Sequence, residues 1–136
     1  MTDLDCLEEV QTFLANQPDH ITLFQALERM ISSIGPATVE VHHSQISFGT
    51  KAQFAWLWYP PSEAKRPTNS IVLSFSVGRR LKNKRFFEID EAYPGRFTHH
   101  VIIESEADLN KEVFTWICEA YTFSLIRTRT ATAVSL

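Results

Sequence analysis

The amino-acid sequence predicts an α+β fold, in which an antiparallel β-sheet of about five or six strands packs against N-terminal helices and a C-terminal amphipathic helix. Apolar residues recur at helical spacing near both ends of the chain, whereas between residues 39 and 104 they tend to alternate with polar residues. The order helix, helix, strands, helix lacks the strand–helix alternation of a doubly wound nucleotide-binding fold. The 136 residues fit one domain, predicted over residues 1–126 and followed by a C-terminal tail, 127–136.

Two helices are predicted before the first strand. The first has an apolar stripe at helical spacing, made of Leu4, Leu7, Val10 and Leu14. The second has a similar stripe over residues 21–34, and Gly35-Pro36 ends it, because glycine readily closes a helix and proline cannot continue one. We interpret both stripes as parts of the core rather than as a cofactor site.

The central segment predicts six short strands. Their boundaries are residues 39–41, 46–48, 53–59, 71–77, 86–91 and 96–104, with a short helix as the alternative for the fifth. In the third strand, strict alternation places Phe54, Trp56 and Trp58 on one face. In the fourth strand, the same alternation turns Ser74 and Ser76 away from the core.

The C-terminal helix is the most clearly marked element. Ser105 is a good N-cap, and Asp108 three residues later completes a capping box, which predicts that the helix begins there. The apolar face that should cover the sheet consists of Leu109, Val113, Trp116, Ile117, Ala120 and Tyr121.

Two segments show no regular pattern. Residues 60–67 are polar and contain three prolines, which predicts a mobile loop. Residues 127–136 are polar and β-branched without helical periodicity, and they form the predicted tail. The two cysteines, Cys6 and Cys118, belong to no metal-binding pattern and are predicted to be thiols rather than a disulfide.

Several motifs occur together in a fixed order. They are Ile34-Gly-Pro36, Gln45-Ile-Ser-Phe48, Phe54-Ala-Trp-Leu-Trp58, Leu73-Ser-Phe-Ser-Val-Gly-Arg-Arg80 and Pro94-Gly-Arg-Phe-Thr-His-His-Val101. With them, roughly residues 20–125 resemble the bacterial domain-of-unknown-function family 5655, some of whose members are labelled predicted transport proteins. The resemblance implies a small α+β domain without an established activity. A more distant similarity is to small bacterial proteins described as frataxin-like iron chaperones, from which no metal ligands carry over.

The net charge of −3 hides a basic middle segment. Residues 41–100 contain nine basic and four acidic residues, whereas residues 1–40 contain one and seven. Five of the bases fall within residues 79–85. Converging cations can hold phosphates or carboxylates, so we predict a candidate anion-binding surface at Arg79, Arg80 and Arg96. The alternative is a solvated connection whose charges discourage pairing between sheet edges.

A doubled histidine, His99-His100, follows Arg96 on the sixth strand. Successive side chains of a strand point to opposite faces, so these two cannot hold the same metal ion. Either one beside Arg96 could act as a base, but the sequence identifies no nucleophile and no known catalytic motif. The alternative is one buried structural histidine and one exposed histidine. A metal site would need one of them and a ligand brought over by strand pairing, from His42, His43, Glu88 or Asp90.

The sequence therefore predicts a non-catalytic binding module. Its partner is expected to be an anionic small molecule or protein, with metal handling by histidines and a small hydrolase or transferase with a histidine base as alternatives. No cofactor and no resident metal are predicted. The candidate residues are Arg79, Arg80, Arg96, His99, His100 and Trp56.

Location and association are predicted from composition. The N-terminus lacks the basic and apolar regions of a signal peptide, and no apolar run approaches the ~20 residues of a membrane span, so a cytoplasmic protein is expected. The acidic overall balance argues against nucleic acid as a partner. The aromatic strands are compatible with a homodimer.

Overall fold

The computed structural model describes residues 4–15, 17–59 and 70–135, and the side chains of residues 8–126 within these ranges. The chain forms two helices, six strands, a short 3-10 helix and a long final helix. In chain order these are α1 (Leu4–Phe13), α2 (Pro18–Ile34), β1 (Thr38–Val41), β2 (Ile46–Gly49), β3 (Gln53–Trp58), β4 (Ile71–Val77), β5 (Phe86–Tyr93), β6 (Arg96–Ile103), the 3-10 helix (Glu106–Asp108) and α3 (Lys111–Ser135).

The six strands form one antiparallel sheet in the order β1-β2-β3-β4-β6-β5. The α+β prediction is therefore confirmed. Strands β5 and β6 are a hairpin, and β6 inserts between β4 and β5. The turn of this hairpin includes Gly95, whose φ of 81° is a conformation that residues with a side chain rarely adopt.

Helices α2 and α3 pack on the same face of the sheet and bury it. On α2, Phe24 stacks on Phe48 of β2, with 5.8 Å between ring centroids. On α3, Trp116 stacks on Phe75 of β4 at 5.5 Å. The predicted apolar face of α3 is confirmed for Val113, Trp116, Ile117, Ala120 and Tyr121, which pack in the core, whereas Leu109 precedes the helix and is partly buried. In β4 the alternation also holds, because Ile71, Leu73, Phe75 and Val77 are core residues.

The predicted faces of β3 are wrong at Phe54. Strands β2 and β3 pair Phe48 with Ala55 and Gly49 with Gln53, so Phe54 is an extra residue in a bulge. The bulge shifts the alternation, and both Phe54 and Ala55 lie in the core. Phe54 packs edge-on against Tyr121 of α3, with ring centroids 5.4 Å apart. Burial of the apolar Phe54 ring against α3 therefore stabilises the bulge, although the bulge breaks the strict alternation.

Helix α3 begins later and extends further than predicted. The Ser105–Asp108 capping box is present, but it caps the 3-10 helix. Helix α3 starts at Lys111, and the Asn110 side chain caps it by accepting a hydrogen bond from the Val113 N–H at 3.1 Å. The prediction of a tail without helical structure is also wrong, because the backbone of residues 127–135 continues α3. A helix already formed on the sheet can propagate through residues that would not start one, since only nucleation is costly.

Three predictions concern other parts of the chain. The loop at residues 60–67 and the side chain of Cys6 lie outside the described residues. Cys118 is a free thiol, and partial burial raises its pKa. Within the ranges that the structure describes, no helix combines the length and apolar character needed to cross a bilayer.

The Gly35 position is expected to tolerate no side chain. A Cβ atom built on Gly35 would collide with the hydroxyl group of Tyr121, which donates a 2.6 Å hydrogen bond to the Pro36 carbonyl and so joins α3 to the end of α2. We expect Gly35→Ala to lower the free energy of unfolding by about 1–3 kcal/mol, the usual cost of overpacking. Urea denaturation measures this loss. In a Tyr121→Phe background, which removes the colliding oxygen, the same substitution should cost less, and an undiminished cost would contradict this explanation.

Candidate functional site

The face of the sheet opposite α2 and α3 carries a row of polar and aromatic side chains. The strand register places Ser47, Trp56, Ser74, His100 and Glu88 directly beside one another across β2, β3, β4, β6 and β5. Side chains opposite each other in an antiparallel pair share a face and lie within contact distance. This face, which we call the open face, is therefore where residues far apart in sequence converge.

The open face contains a cavity of about 510 Å³. This volume is in the range of small-molecule binding sites. The cavity is lined by Gln45, Gln53, Trp56, Trp58, Ser74, Arg96, Thr98 and His100.

A chain of hydrogen bonds runs along one side of this cavity. The indole N–H of Trp58 donates to Ser74 Oγ at 2.7 Å, and Ser74 Oγ is 2.6 Å from His100 Nδ1. His100 Nε2 is in turn 2.8 Å from Asp90 Oδ2. These hydrogen bonds link Trp58, Ser74, His100 and Asp90, which lie on four different strands. The side chain of Asp90, at the outer end, is 54% exposed, whereas Ser74, between Trp58 and His100, is only 2% exposed.

Arg96 brings the positive charge of the cavity. Its guanidinium carbon lies 5.7 Å from the centre of the Trp56 ring and 5.4 Å from that of Tyr93. Both distances are in the range of cation–π attraction, which helps to orient the guanidinium. Tyr93 is the Cα partner of Arg96 across the β5–β6 hairpin, so the turn itself sets this position.

His99 lies on the opposite face from His100, as the alternation predicts. It is 0% exposed and stacks on Phe75, with 5.1 Å between ring centroids. Its Nε2 accepts a 3.0 Å hydrogen bond from the Leu81 backbone N–H, which requires that nitrogen to be unprotonated. Burial, together with the nearby charge of Arg80, lowers the pKa of His99. This histidine belongs to the core and has no path to the cavity.

The other predicted cations also lie elsewhere. Arg79 makes a bidentate pair with Glu119 of α3, with N–O distances of 2.9 and 3.0 Å, and this bond raises the pKa of the arginine. Arg80 lies over the ring of Phe97, 5.5 Å from its centre. Of the candidate residues, the structure thus brings together Arg96, His100 and Trp56, and it places Arg79, Arg80 and His99 outside the cavity.

No metal site is evident in the described part of the chain, where no three His, Cys, Asp or Glu side chains lie close enough to share an ion. His42 and His43 line a second cavity of about 430 Å³ beside α1, so strand pairing does not bring them to His100. Of the potential ligands named from the sequence, Asp90 does reach His100, but it does so as a hydrogen-bond partner.

Sequence reasoning missed five residues that line the cavity: Gln45, Gln53, Trp58, Ser74 and Thr98. Asp90 was named only as a possible metal ligand. The only sequence signal for Ser74 was the alternation of β4, which places this serine on the face of the sheet opposite the core. The identity of its neighbours depends on which strands pair and in which register. The sequence does not specify the crossover that inserts β6 beside β4.

Comparison with known proteins identifies a family but no activity. The family model described as Domain of unknown function (DUF5655) matches residues 9–124. No curated protein and no solved structure matches the chain. The match confirms the predicted family, while the transport label and the similarity to frataxin-like proteins are not confirmed. Covering most of the chain, it shows that this protein belongs to the DUF5655 family.

Proposed function

We propose that the protein binds a small organic anion in the cavity of the open face. The observation that carries this proposal is the position of Arg96, a guanidinium lining the same concave space as two indole rings and an imidazole. Carboxylates and phosphates are the groups that a guanidinium fork recognises best. Of the three cations predicted to form an anion-binding surface, Arg79, Arg80 and Arg96, only Arg96 lines this cavity.

The remaining lining suits the organic part of such a ligand. Trp58, which is partly exposed, supplies apolar surface beside the small exposed part of Trp56. The amide groups of Gln45 and Gln53 can donate or accept hydrogen bonds at its edge. Apolar surface combined with polar groups that fix the orientation of a ligand is typical of small-molecule sites. A flat ring carrying a carboxylate or phosphate matches this combination.

Extended nucleic acid is a less suitable ligand. Trp56 is only 9% exposed, so its ring cannot serve as an open platform for stacked bases. Arg79 and Arg85, which a phosphate backbone would need, are paired with Glu119 and Glu112 of α3. The predicted cytoplasmic location would give the protein access to metabolic acids of the proposed size.

Replacing Arg96 by methionine is expected to weaken anion binding by about 10- to 100-fold, because a hydrogen bond to a charged group contributes about 1.5–3 kcal/mol. Methionine keeps much of the apolar stem that lies over Trp56. Benzoate and phenyl phosphate are suitable probes, with benzyl alcohol as the uncharged comparison. Quenching of tryptophan fluorescence follows the titration.

Arg79→Met is the matched control, since it removes an equal charge from outside the cavity and should leave the affinity unchanged. Raising the salt concentration should weaken the wild-type affinity and have less effect on Arg96→Met. Equal affinities of the wild type and Arg96→Met for both anions would overturn the proposal.

A further inference from the structure

We infer that Ser74 is a nucleophile activated by His100 and Asp90, and that the cavity hydrolyses esters of small organic acids. The preference for an anionic ester rests on the proposed function, whereas the nucleophile rests on separate geometry. That geometry is the continuous hydrogen-bonded chain from Asp90 through His100 to Ser74 at the wall of the cavity. A hydroxyl, an imidazole and a carboxylate in this order constitute the arrangement that nucleophilic acyl transfer uses.

The positions of the protons follow from the partners. Asp90 offers only acceptor oxygens in its ionised form, so the nitrogen facing it, His100 Nε2, must carry a proton. In the neutral imidazole Nδ1 is then an acceptor, and the Ser74 hydroxyl donates to it across 2.6 Å. The indole N–H of Trp58 can only donate, and it occupies a lone pair of the same oxygen at 2.7 Å. This network directs the serine proton toward the base.

The sheet holds these groups with little freedom. Ser74 and His100 are direct Cα partners of β4 and β6, so the backbone ladder fixes their separation. The Trp58 ring meets the His100 ring edge-on, with 5.9 Å between centroids, which further restrains the imidazole. Catalysis depends on such fixed geometry, since a bound ester must meet the oxygen and the base together.

Besides the ester, water is the only reactant that the reaction needs. Ser74 Oγ attacks the carbonyl carbon of the ester while its proton passes to His100 Nδ1. The bond between that carbon and the alkoxy oxygen breaks, and His100 returns the proton to the leaving alcohol. Water, deprotonated by the same nitrogen, then releases the acid and restores Ser74. Asp90 acts as a positioning residue, which orients the imidazole and stabilises its protonated form.

Labelling with a small alkyl fluorophosphonate tests the nucleophile directly. Ser74 Oγ should form a bond to phosphorus with loss of fluoride, adding one phosphonyl group per chain by intact mass and mapping to Ser74. Ser74→Ala should abolish the label. Ser76→Ala is the matched control, because Ser76 is equally buried on the same strand and face but is bonded to Thr98 rather than to a histidine. It should label at the wild-type rate.

Two further variants test the base and its partner. His100→Gln should slow labelling by about 100-fold or more, the usual contribution of a general base. Asp90→Asn should slow it as well and move the midpoint of the pH–rate profile to lower pH, because the imidazolium loses its carboxylate. A merely structural role of Asp90 would leave that midpoint unchanged. Circular dichroism of each variant verifies that the fold persists.

Measurement of ester hydrolysis distinguishes the nucleophilic role of Ser74 from anion binding by Arg96. We expect the 4-nitrophenyl monoester of terephthalic acid, whose free carboxylate cannot reach its own ester group, to be hydrolysed at least tenfold faster than 4-nitrophenyl benzoate, and Arg96→Met to remove this preference. If benzoate binds but Ser74 is neither labelled nor required for hydrolysis, the assignment of Ser74 as a nucleophile is wrong, while the proposal of anion binding stands. If Ser74 is labelled but no anion binds and the two esters react equally, the nucleophile stands and the anion site is overturned.

Discussion

Replacing Phe75 by alanine is expected to lower the free energy of unfolding by about 3–5 kcal/mol. Phe75 is 0% exposed at the centre of β4 and contacts three other rings. It stacks on Trp116 and His99 and meets Phe86 edge-on, with centroid distances of 5.5, 5.1 and 5.9 Å. The substitution would leave a cavity between the sheet and α3 that these rigid rings cannot fill.

Urea denaturation followed by circular dichroism measures this effect. Phe87→Ala is the matched control, since Phe87 is a phenylalanine of the same sheet, on β5, that is 48% exposed. It should change the free energy of unfolding by about 0.5 kcal/mol or less. Similar losses in the two variants would mean that the cluster around Phe75 does not hold α3 on the sheet.

The second large effect expected is a loss of stability in mild acid that depends on His99. Burial lowers the pKa of His99 in the folded protein. Below the unfolded value of about 6.5, the unfolded chain therefore binds a proton that the folded chain does not. The free energy of unfolding then falls with decreasing pH, by up to about 1.4 kcal/mol per pH unit, until the folded pKa is reached.

His99→Phe tests this linkage, because phenylalanine keeps an aromatic ring on Phe75 but cannot be protonated. At pH 7 the variant should be less stable by about 1–3 kcal/mol, since the buried Leu81 N–H loses its acceptor. As the pH falls from 7 to 5, the wild type should lose this advantage. His43→Phe, at an exposed position, should follow the wild-type curve. Parallel curves for the wild type and His99→Phe would contradict the linkage.

The helices and strands could largely be predicted from sequence, because their signals are local. The stripe of α2, the alternation of β4 and the apolar face of α3 each recur at the period of one element. The predictions were wrong where a tertiary contact or a neighbouring cap overrode the local pattern. Alternation put Phe54 on the wrong face because a bulge turns it toward Tyr121. The capping box at Ser105 was real, but Asn110 supplies the cap of α3.

The candidate site could be predicted only in part. Arg96, His100 and Trp56 were identified as functional candidates because cations, imidazoles and indoles suggest chemistry wherever they occur. The same reasoning identified Arg79, whose charge is instead paired with Glu119 on the other side of the sheet. Residue type alone does not distinguish a cation held by a helix from one that lines a cavity.

By itself, the sequence determined the fold class, the family and the separation of His99 from His100, because each of these depends on residues that are neighbours in the chain. Only the tertiary structure decided which histidine faces the cavity and which atoms it meets. The register of β4 against β6 brings Ser74 to His100 across 26 residues, and the β5–β6 hairpin adds Asp90. Strand register is set by the packing of the whole opposite face, so no local pattern around Ser74 contains it.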